Sequence, residues 1–336
     1  MAKEGVFRRG DQLALAAGLL FISAFVACVW WLDRYLPAVD LTEIRRSFWY
    51  RWQLKTPDTA ARIAVWTLYG LHQFGFWWLI YYAQSRRPST GTTLHGFNYA
   101  AIAFNGIFAL LHTVQTWLFY DGLAQDVPEV TSQWSVIFLL VWVLAMENPR
   151  RGLIWGKGLP PNRRLIRILH RYHGYYFSWA ITYTFWYHPT VATSGHLTGF
   201  FYLLMIMLQG SLFFTRVHSN KYWTFLLEML VLVHGTTVAI MIGQEKWTMF
   251  LMGFLGMVVL TQVHAFHRFW KVPVTAVWFG CVFWLYRDKP PAALHELYRI
   301  PAAELGLAVL LYLLVLSGLK LSDRLSQAPS GRQKAG

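Results

Sequence analysis

The sequence predicts an all-α integral membrane protein, a polytopic bundle of about ten transmembrane helices. Of its 336 residues, 56% are hydrophobic and only 14% are charged, and long apolar runs recur along most of the chain. A helix needs about 20 predominantly apolar residues to cross a bilayer. Ten runs approach that length, and their predicted bounds are 12–32, 60–83, 97–120, 134–147, 172–190, 197–215, 222–243, 247–266, 272–286 and 301–320.

The first run is expected to be a membrane span and not a cleaved signal peptide. It is long, it is flanked by Trp30 and Trp31, and it lacks a small-residue cleavage pattern. The segment 33–59 that follows is basic and contains Trp49, Tyr50 and Trp52. Aromatic and basic residues together are typical of a helix that lies on the membrane surface, so an interfacial segment is predicted here.

A basic loop divides the ten runs into groups. We expect a four-span N-terminal region over 1–147, a basic loop over 148–171, and a histidine-rich four-span core over 172–267. A two-span C-terminal region over 268–325 and a disordered tail over 326–336 complete the chain. Cys28 and Cys281 both lie inside predicted spans, so no disulfide framework is indicated.

The net charge of +14 is concentrated in alternate loops. Residues 121–133 contain three acidic residues and no Lys or Arg, and 189–196 are uncharged. Because cytoplasmic loops carry the excess of Lys and Arg, both termini and the 148–171 loop are predicted to be cytoplasmic. The basic residues lie at the ends of the predicted spans and do not form one continuous basic surface. This distribution argues against a nucleic-acid partner. Four arginines of the basic loop are expected either to hold anionic lipid headgroups or to act only as a topology signal: Arg150, Arg151, Arg163 and Arg164.

The chain contains 12 histidines, and most of them fall at two predicted depths. A neutral imidazole inside a membrane is costly unless it has a partner or a ligand. The predicted inner level contains His95, His170, His173, His218, His264 and His267. The predicted outer level contains His112, His188 and His234, with His196 in the adjacent loop and His72 near mid-span. His173 and His188 are 15 residues apart on one span, which is about 22 Å along a helix.

Two layers of imidazoles are what a transmembrane electron path needs, because two b-type haems can be held by axial histidines from neighbouring helices. The favoured hypothesis is a membrane oxidoreductase or electron carrier. Its inner haem ligands are His173 with His218 or His264, and its outer ligands are His188 with His112 or His234. No phosphate loop, flavin or nicotinamide fingerprint occurs, so the electron donor would be a quinol or a separate redox protein.

The segment His170-Arg171-Tyr172-His173-Gly174, taken with His188, resembles the haem spans of ferric-reductase-type membrane domains. The chain departs from that family in the spacing of its histidines. The resemblance covers one span and implies haem ligation there.

A second hypothesis uses the inner histidines alone. His170 with His173, and His264 with His267, are pairs three residues apart, so both rings of a pair can reach one ion. With His95 and His218 they would build a non-haem iron or zinc site that acts on a lipid at the cytoplasmic face. The pattern resembles the histidine boxes of integral-membrane desaturases and hydroxylases, but it lacks their His-His doublet.

A third hypothesis needs no metal. Glu228 lies inside a predicted span and should face protein or a cavity, as a proton-relay carboxylate, a substrate-binding acid or the partner of a nearby arginine. With His234 it would serve a transporter or an assembly factor, and whether the protein is an enzyme stays open. Glu147 is expected to pair with the neighbouring arginines, and Asn105, Gln209 and Gln262 to form interhelical hydrogen bonds. His196 and His295 are expected in watery outer loops.

Overall fold

The computed structural model describes residues 9–43, 53–160, 162–243, 247–262 and 268–327. The structure is all-α and 79% helical, which confirms the predicted class. The described residues form ten α-helices: α1 Arg9–Leu32, α2 Thr59–Ser85, α3 Gly96–Leu118, α4 Glu129–Arg151, α5 Arg163–Tyr187, α6 Ser194–Ser211, α7 Lys221–Met241, α8 Trp247–Leu260, α9 Lys271–Tyr286 and α10 His295–Gln327.

Five of these helices, α1, α3, α4, α7 and α10, are long and apolar enough to cross a membrane. Helices α8 and α9 are apolar but shorter. Helix α5 has 25 residues, yet its first turns contain the arginines at 163, 164, 167 and 171. Several helices are therefore suited to a membrane, while the number of spans stays a prediction.

The predicted basic loop over 148–171 is wrong in its extent. Helix α4 continues through Arg151 and α5 begins at Arg163, so only 152–162 connects them. The side chain of Asn162 caps α5 by accepting hydrogen bonds from the backbone N–H of Arg164 and of Leu165, each at 3.0 Å. Leu165 is buried in the cluster that Tyr312 of α10 completes. This first part of α5 is amphipathic, and a search for apolar runs does not detect it.

Loops 86–95, 152–162 and 212–220 lie together at what we call the basic end of the bundle. The backbone N–H of Arg216 donates to the carbonyl of Gly91 at 2.8 Å. The backbone N–H of Trp155 donates to the carbonyl of Leu260, the last residue of α8, at 2.9 Å. These contacts join loops that follow alternate helices.

The loops that follow α1, α3 and α5 meet at the opposite end of the bundle. The backbone N–H of Ala192 donates to Asp33 at 2.7 Å, and that of Thr190 donates to Thr116 at 2.9 Å. The flanks of the predicted interfacial segment pair in extended conformation, because Thr42 donates its N–H to the carbonyl of Gln53 at 2.9 Å. The aromatic centre of that segment lies within 44–52, outside the described residues.

The largest apolar cluster surrounds the second half of α5. Phe185 and Trp186 are fully buried there, against Phe200 of α6, Phe108 of α3 and Phe25 of α1. Helix α10 packs against α8 and α4 instead. The second half of α5 thus lies at the centre of the bundle, and His170 and His173 lie on the first half of the same helix.

Candidate functional site

Three of the predicted inner histidines converge near the basic end. His170 and His173 lie on α5, and His218 lies in the loop between α6 and α7. The ring centroids of His173 and His218 are 5.9 Å apart, and those of His170 and His173 are 6.3 Å apart. The structure therefore brings together residues that are remote in the sequence.

Backbone carbonyls fix the tautomers of the two facing rings. The Nδ1 of His173 hydrogen-bonds to the carbonyl of His170 at 2.7 Å, and the Nδ1 of His218 to that of Gln209 at 2.9 Å. Because a carbonyl only accepts, each Nδ1 must carry the proton, and each neutral ring keeps a lone pair on Nε2. Gln209 also donates from Nε2 to the carbonyl of His218 at 2.8 Å, which fixes the loop. Histidines that bind metals are typically oriented by such a hydrogen bond at the other nitrogen.

The distance between these rings fits two axial ligands of one iron. A metal–nitrogen bond of about 2 Å on each side, plus the radius of each ring, separates such centroids by roughly 6 Å. Among the described residues no three His, Cys, Asp or Glu side chains are placed to hold one metal ion. His264 and His267 lie within 263–267, outside those residues. A metal site built from the described residues alone would therefore have at most two such ligands.

His95 is used differently from the other inner histidines. It lies immediately before α3, where its backbone N–H donates to Oδ1 of Asn98 at 2.8 Å. Its ring stacks on Phe97 at a centroid distance of 4.9 Å. Nε2 of His95 is buried and has no hydrogen-bonding partner in the described part of the chain. Nothing in these contacts joins His95 to His173 or His218.

Four histidines gather near the opposite end, around His188, the residue that follows α5. The rings of His188 and His196 meet edge to face at 4.8 Å. His112 donates from Nε2 to the carbonyl of His188 at 2.7 Å. His234 is close enough to His188 for charges on the two rings to interact, and it stacks on Tyr202 at 6.2 Å.

Both ring nitrogens of His112 are already used, because Nδ1 hydrogen-bonds to Oε1 of Gln115 at 2.9 Å. The ring also packs 4.2 Å from that of Trp186. In this arrangement His112 has no nitrogen left for a metal. These contacts argue against His112 as the partner of His188, and the other partner that the sequence indicated, His234, stays a prediction.

His72 belongs to a structural network that the sequence did not reveal. Trp186 donates from Nε1 to His72 Nδ1 at 3.0 Å, so His72 Nε2 carries the proton and donates to Asn105 at 2.9 Å. Asn105 then donates to Ser211 at 3.0 Å. The network links α5, α2, α3 and α6, and it confirms the predicted interhelical role of Asn105.

The expectation that His196 lies in a watery loop is wrong. His196 is 2% exposed in the first turn of α6, where Nδ1 hydrogen-bonds to the Thr193 hydroxyl at 2.6 Å. The loop that precedes α6 folds back over the bundle, so the helix start is covered. His295 is exposed as expected.

Glu228 of α7 forms an ion pair with Arg151, the last residue of α4. Nη1 of Arg151 lies 3.1 and 3.0 Å from the two carboxylate oxygens, and Arg151 is 2% exposed. A neighbouring pair joins Arg150 to Glu147, as predicted. Glu228 is therefore held by a buried counter-ion and is not presented alone to a substrate.

Two spaces meet at Arg151. A cavity of about 50 Å³ inside the bundle is lined by Arg151, Glu228, Glu304, Gln262 and apolar residues. A cleft of about 500 Å³ at the basic end is lined by residues of the 148–160 segment and by Lys271. Gly152, at φ +71°, allows the cleft loop to turn close to the backbone of Gly156.

Comparison with known proteins finds no match: no protein-family model, no curated protein and no solved structure matches the chain. The function is therefore inferred from the geometry of the histidines.

Proposed function

We propose that this protein is a multi-pass membrane electron carrier or oxidoreductase that binds haem b between His173 and His218. The observation that supports it is the 5.9 Å separation of the two rings, each with Nδ1 tied to a backbone carbonyl. Two imidazoles with free Nε2 lone pairs suffice for a six-coordinate haem iron, whose chemistry is one-electron transfer. His264 is the other inner ligand that the sequence permits.

A second haem is proposed at the opposite end, between His188 and His234. The grouping of His112, His196 and His234 around His188 supports it. His173 and His188 are 15 residues apart on and just after α5, about 22 Å along its axis. The protein would thus pass electrons from one side of the bilayer to the other, supplied by a quinol or a separate redox protein.

We further propose that the helices form about ten spans with both termini in the cytoplasm. The alternation of connecting loops between two ends of the bundle supports this topology. Loops of the basic end contain Arg86, Arg87, Lys157 and Arg216, whereas 119–128 and 188–193 contain no Lys or Arg. This difference favours a cytoplasmic location for the basic end. The segment 33–59, which contains five Lys and Arg residues, departs from the pattern.

Anionic lipid headgroups are proposed partners of the cleft at that end. Arg150, Arg151 and Lys271 line it, and Arg163 lies at the start of α5 nearby. Arg164 is engaged by Asp323 at 2.5 Å. Of the three cations that line the cleft, Lys271 is the one without an ion-pair partner among the described residues, so it is the most available of the three to a phosphate.

The alternative is a non-haem iron or zinc site that also uses His170, whose ring lies 6.3 Å from that of His173. Because no three described side chains are placed to hold one ion, this site would need His264 or His267, which lie outside the described residues. A visible spectrum and metal analysis of the purified full-length protein separate the hypotheses. A Soret band that sharpens and shifts on reduction supports haem. Stoichiometric iron or zinc without a Soret band supports the alternative, and neither signal would point to the metal-free transporter or assembly factor.

A further inference from the structure

The small cavity between α4, α7, α8 and α10 is lined by charged side chains that have no role in the proposed haem sites. Its polar lining consists of Arg151, Glu228, Glu304, Gln262 and Thr261. Leu140, Met257 and other apolar residues complete the wall. A space of this kind in a bundle core requires each charge to have a partner.

The charges in the cavity do not balance if both acids are ionised. Arg151 pairs with Glu228, its Nη1 lying 3.1 and 3.0 Å from the two carboxylate oxygens. Glu304 is 9% exposed and has no hydrogen-bonding or ion-pair partner among the described residues. Two carboxylates and one guanidinium leave one negative charge in an apolar setting, which a bound proton removes.

Among the residues that the structure describes, the other titratable groups near the cavity do not supply that missing charge. Arg150 and Glu147 of α4 neutralise each other. Tyr202 of α6 lies near Glu228 and is neutral when protonated. Of the described residues on α8 and after it, through 262, the polar groups that line the cavity are Thr261 and Gln262, which do not ionise.

Unpartnered donors show that the cavity is built for a small oxygen ligand. Nε and Nη2 of Arg151 and Nε2 of Gln262 are buried without an acceptor in the described part of the chain. Arg151 is 2% and Gln262 is 4% exposed. The volume of about 50 Å³ is enough for water, which accepts hydrogen bonds from these donors and donates to the carboxylates.

Arg151 also lines the cleft of about 500 Å³ at the basic end. The cavity and the cleft therefore adjoin at this side chain.

We propose that Glu304 is a buried proton-binding site, loaded from the cleft through water beside Arg151. A hydronium ion in the cleft transfers one proton along the water to the Glu304 carboxylate and is left as water, and release is the reverse. Glu228 stays ionised because it keeps Arg151 as its counter-ion. The site would let the protein take up a proton from the basic end, and it stands whether or not haem is bound.

Infrared difference spectroscopy of the full-length protein at neutral pH tests this site. The wild type should show the C=O stretch of a protonated carboxylic acid, shifted down in D₂O, and Glu304→Gln should lose it. Glu304→Asp keeps a carboxyl group and should move the band. It therefore provides the test if the glutamine variant does not fold. Glu296→Gln is the matched control, because Glu296 is on the same helix, 5% exposed, but paired with Lys289 at 3.3 Å.

A band that persists unchanged in both Glu304 variants would overturn the proposal. Loss of the wild-type band on adding Na⁺ at constant pH would also overturn it, because the acids would then form a metal-cation site. A band lost equally in Glu296→Gln would assign the proton elsewhere on α10.

Discussion

The ring of His173 faces that of His218 at 5.9 Å, although α6 and the second half of α5 separate the two residues in the chain. Each ring has its Nδ1 fixed by a carbonyl, of His170 in one case and Gln209 in the other. Such a pair is preorganised, because neither imidazole must change tautomer to bind a metal through Nε2. The proposed haem site rests on this relationship.

The outer pair gives the first prediction. Replacing His234 by alanine should reduce haem content by about half, because one axial ligand of only one of the two sites is lost. The pyridine haemochrome assay gives haem per protein. His295→Ala is the control, since His295 is exposed and its Nδ1 hydrogen-bonds to the carbonyl of Ala292. An unchanged ratio in His234→Ala would remove His234 from the ligand set.

His72 should matter for stability and not for cofactor content. His72→Phe leaves Trp186 Nε1 and Asn105 Oδ1 without their present partners, and each unsatisfied buried group costs about 1–3 kcal/mol. Unfolding in mixed detergent micelles should show this loss, while the Soret absorbance per folded protein stays the same. A variant that kept wild-type stability would contradict the network's structural role.

How far the sequence predicts this structure can be seen at particular residues. The ten helices fall where apolar runs indicate them, because hydrophobicity is a local property. The start of α5 was missed because Arg163 to Arg171 hide the apolar face of Leu165 and Leu169. The bond from Trp186 to His72 spans 114 residues, and no local pattern encodes it. Glu304 and Gln262 likewise meet only after α8 and α10 pack together.

Breaking the Arg151–Glu228 pair should be strongly destabilising. Arg151→Met leaves the Glu228 carboxylate without its counter-ion, and loss of one partner from a buried pair costs about 3–5 kcal/mol. Combining it with Glu228→Leu should recover much of that loss, because the double variant buries no uncompensated charge. The free energies of unfolding of the two single variants and the double variant form the test. Additive effects would show that the pair is not energetically coupled.

Asp121, in the loop between α3 and α4, should make stability depend on pH. Burial raises the pKa of its carboxyl to about 6, and Oδ2 has no hydrogen-bonding partner among the described residues. The folded state therefore favours the protonated acid. The contribution of Asp121 to the free energy of unfolding is fully present below pH 4. It is lost as the pH rises through about 6, and the loss is about 2–3 kcal/mol.

Asp121→Asn should remove that part of the pH dependence, because the amide does not ionise. Thermal unfolding of both proteins at several pH values between 4 and 7 gives the comparison. Asp288→Asn changes an exposed acid and serves as the control. Parallel pH profiles for wild type and Asp121→Asn would contradict the assignment.

The most direct test of the central claim is the reduced-minus-oxidised visible spectrum of His173→Ala and His218→Ala beside the wild type. Both variants should lose the same haem component, because the two rings bind one iron. His170→Ala should keep it, since His170 contributes its carbonyl to His173 and not its ring. A wild-type protein without a haem spectrum, or variants that retain the full spectrum, would contradict the account.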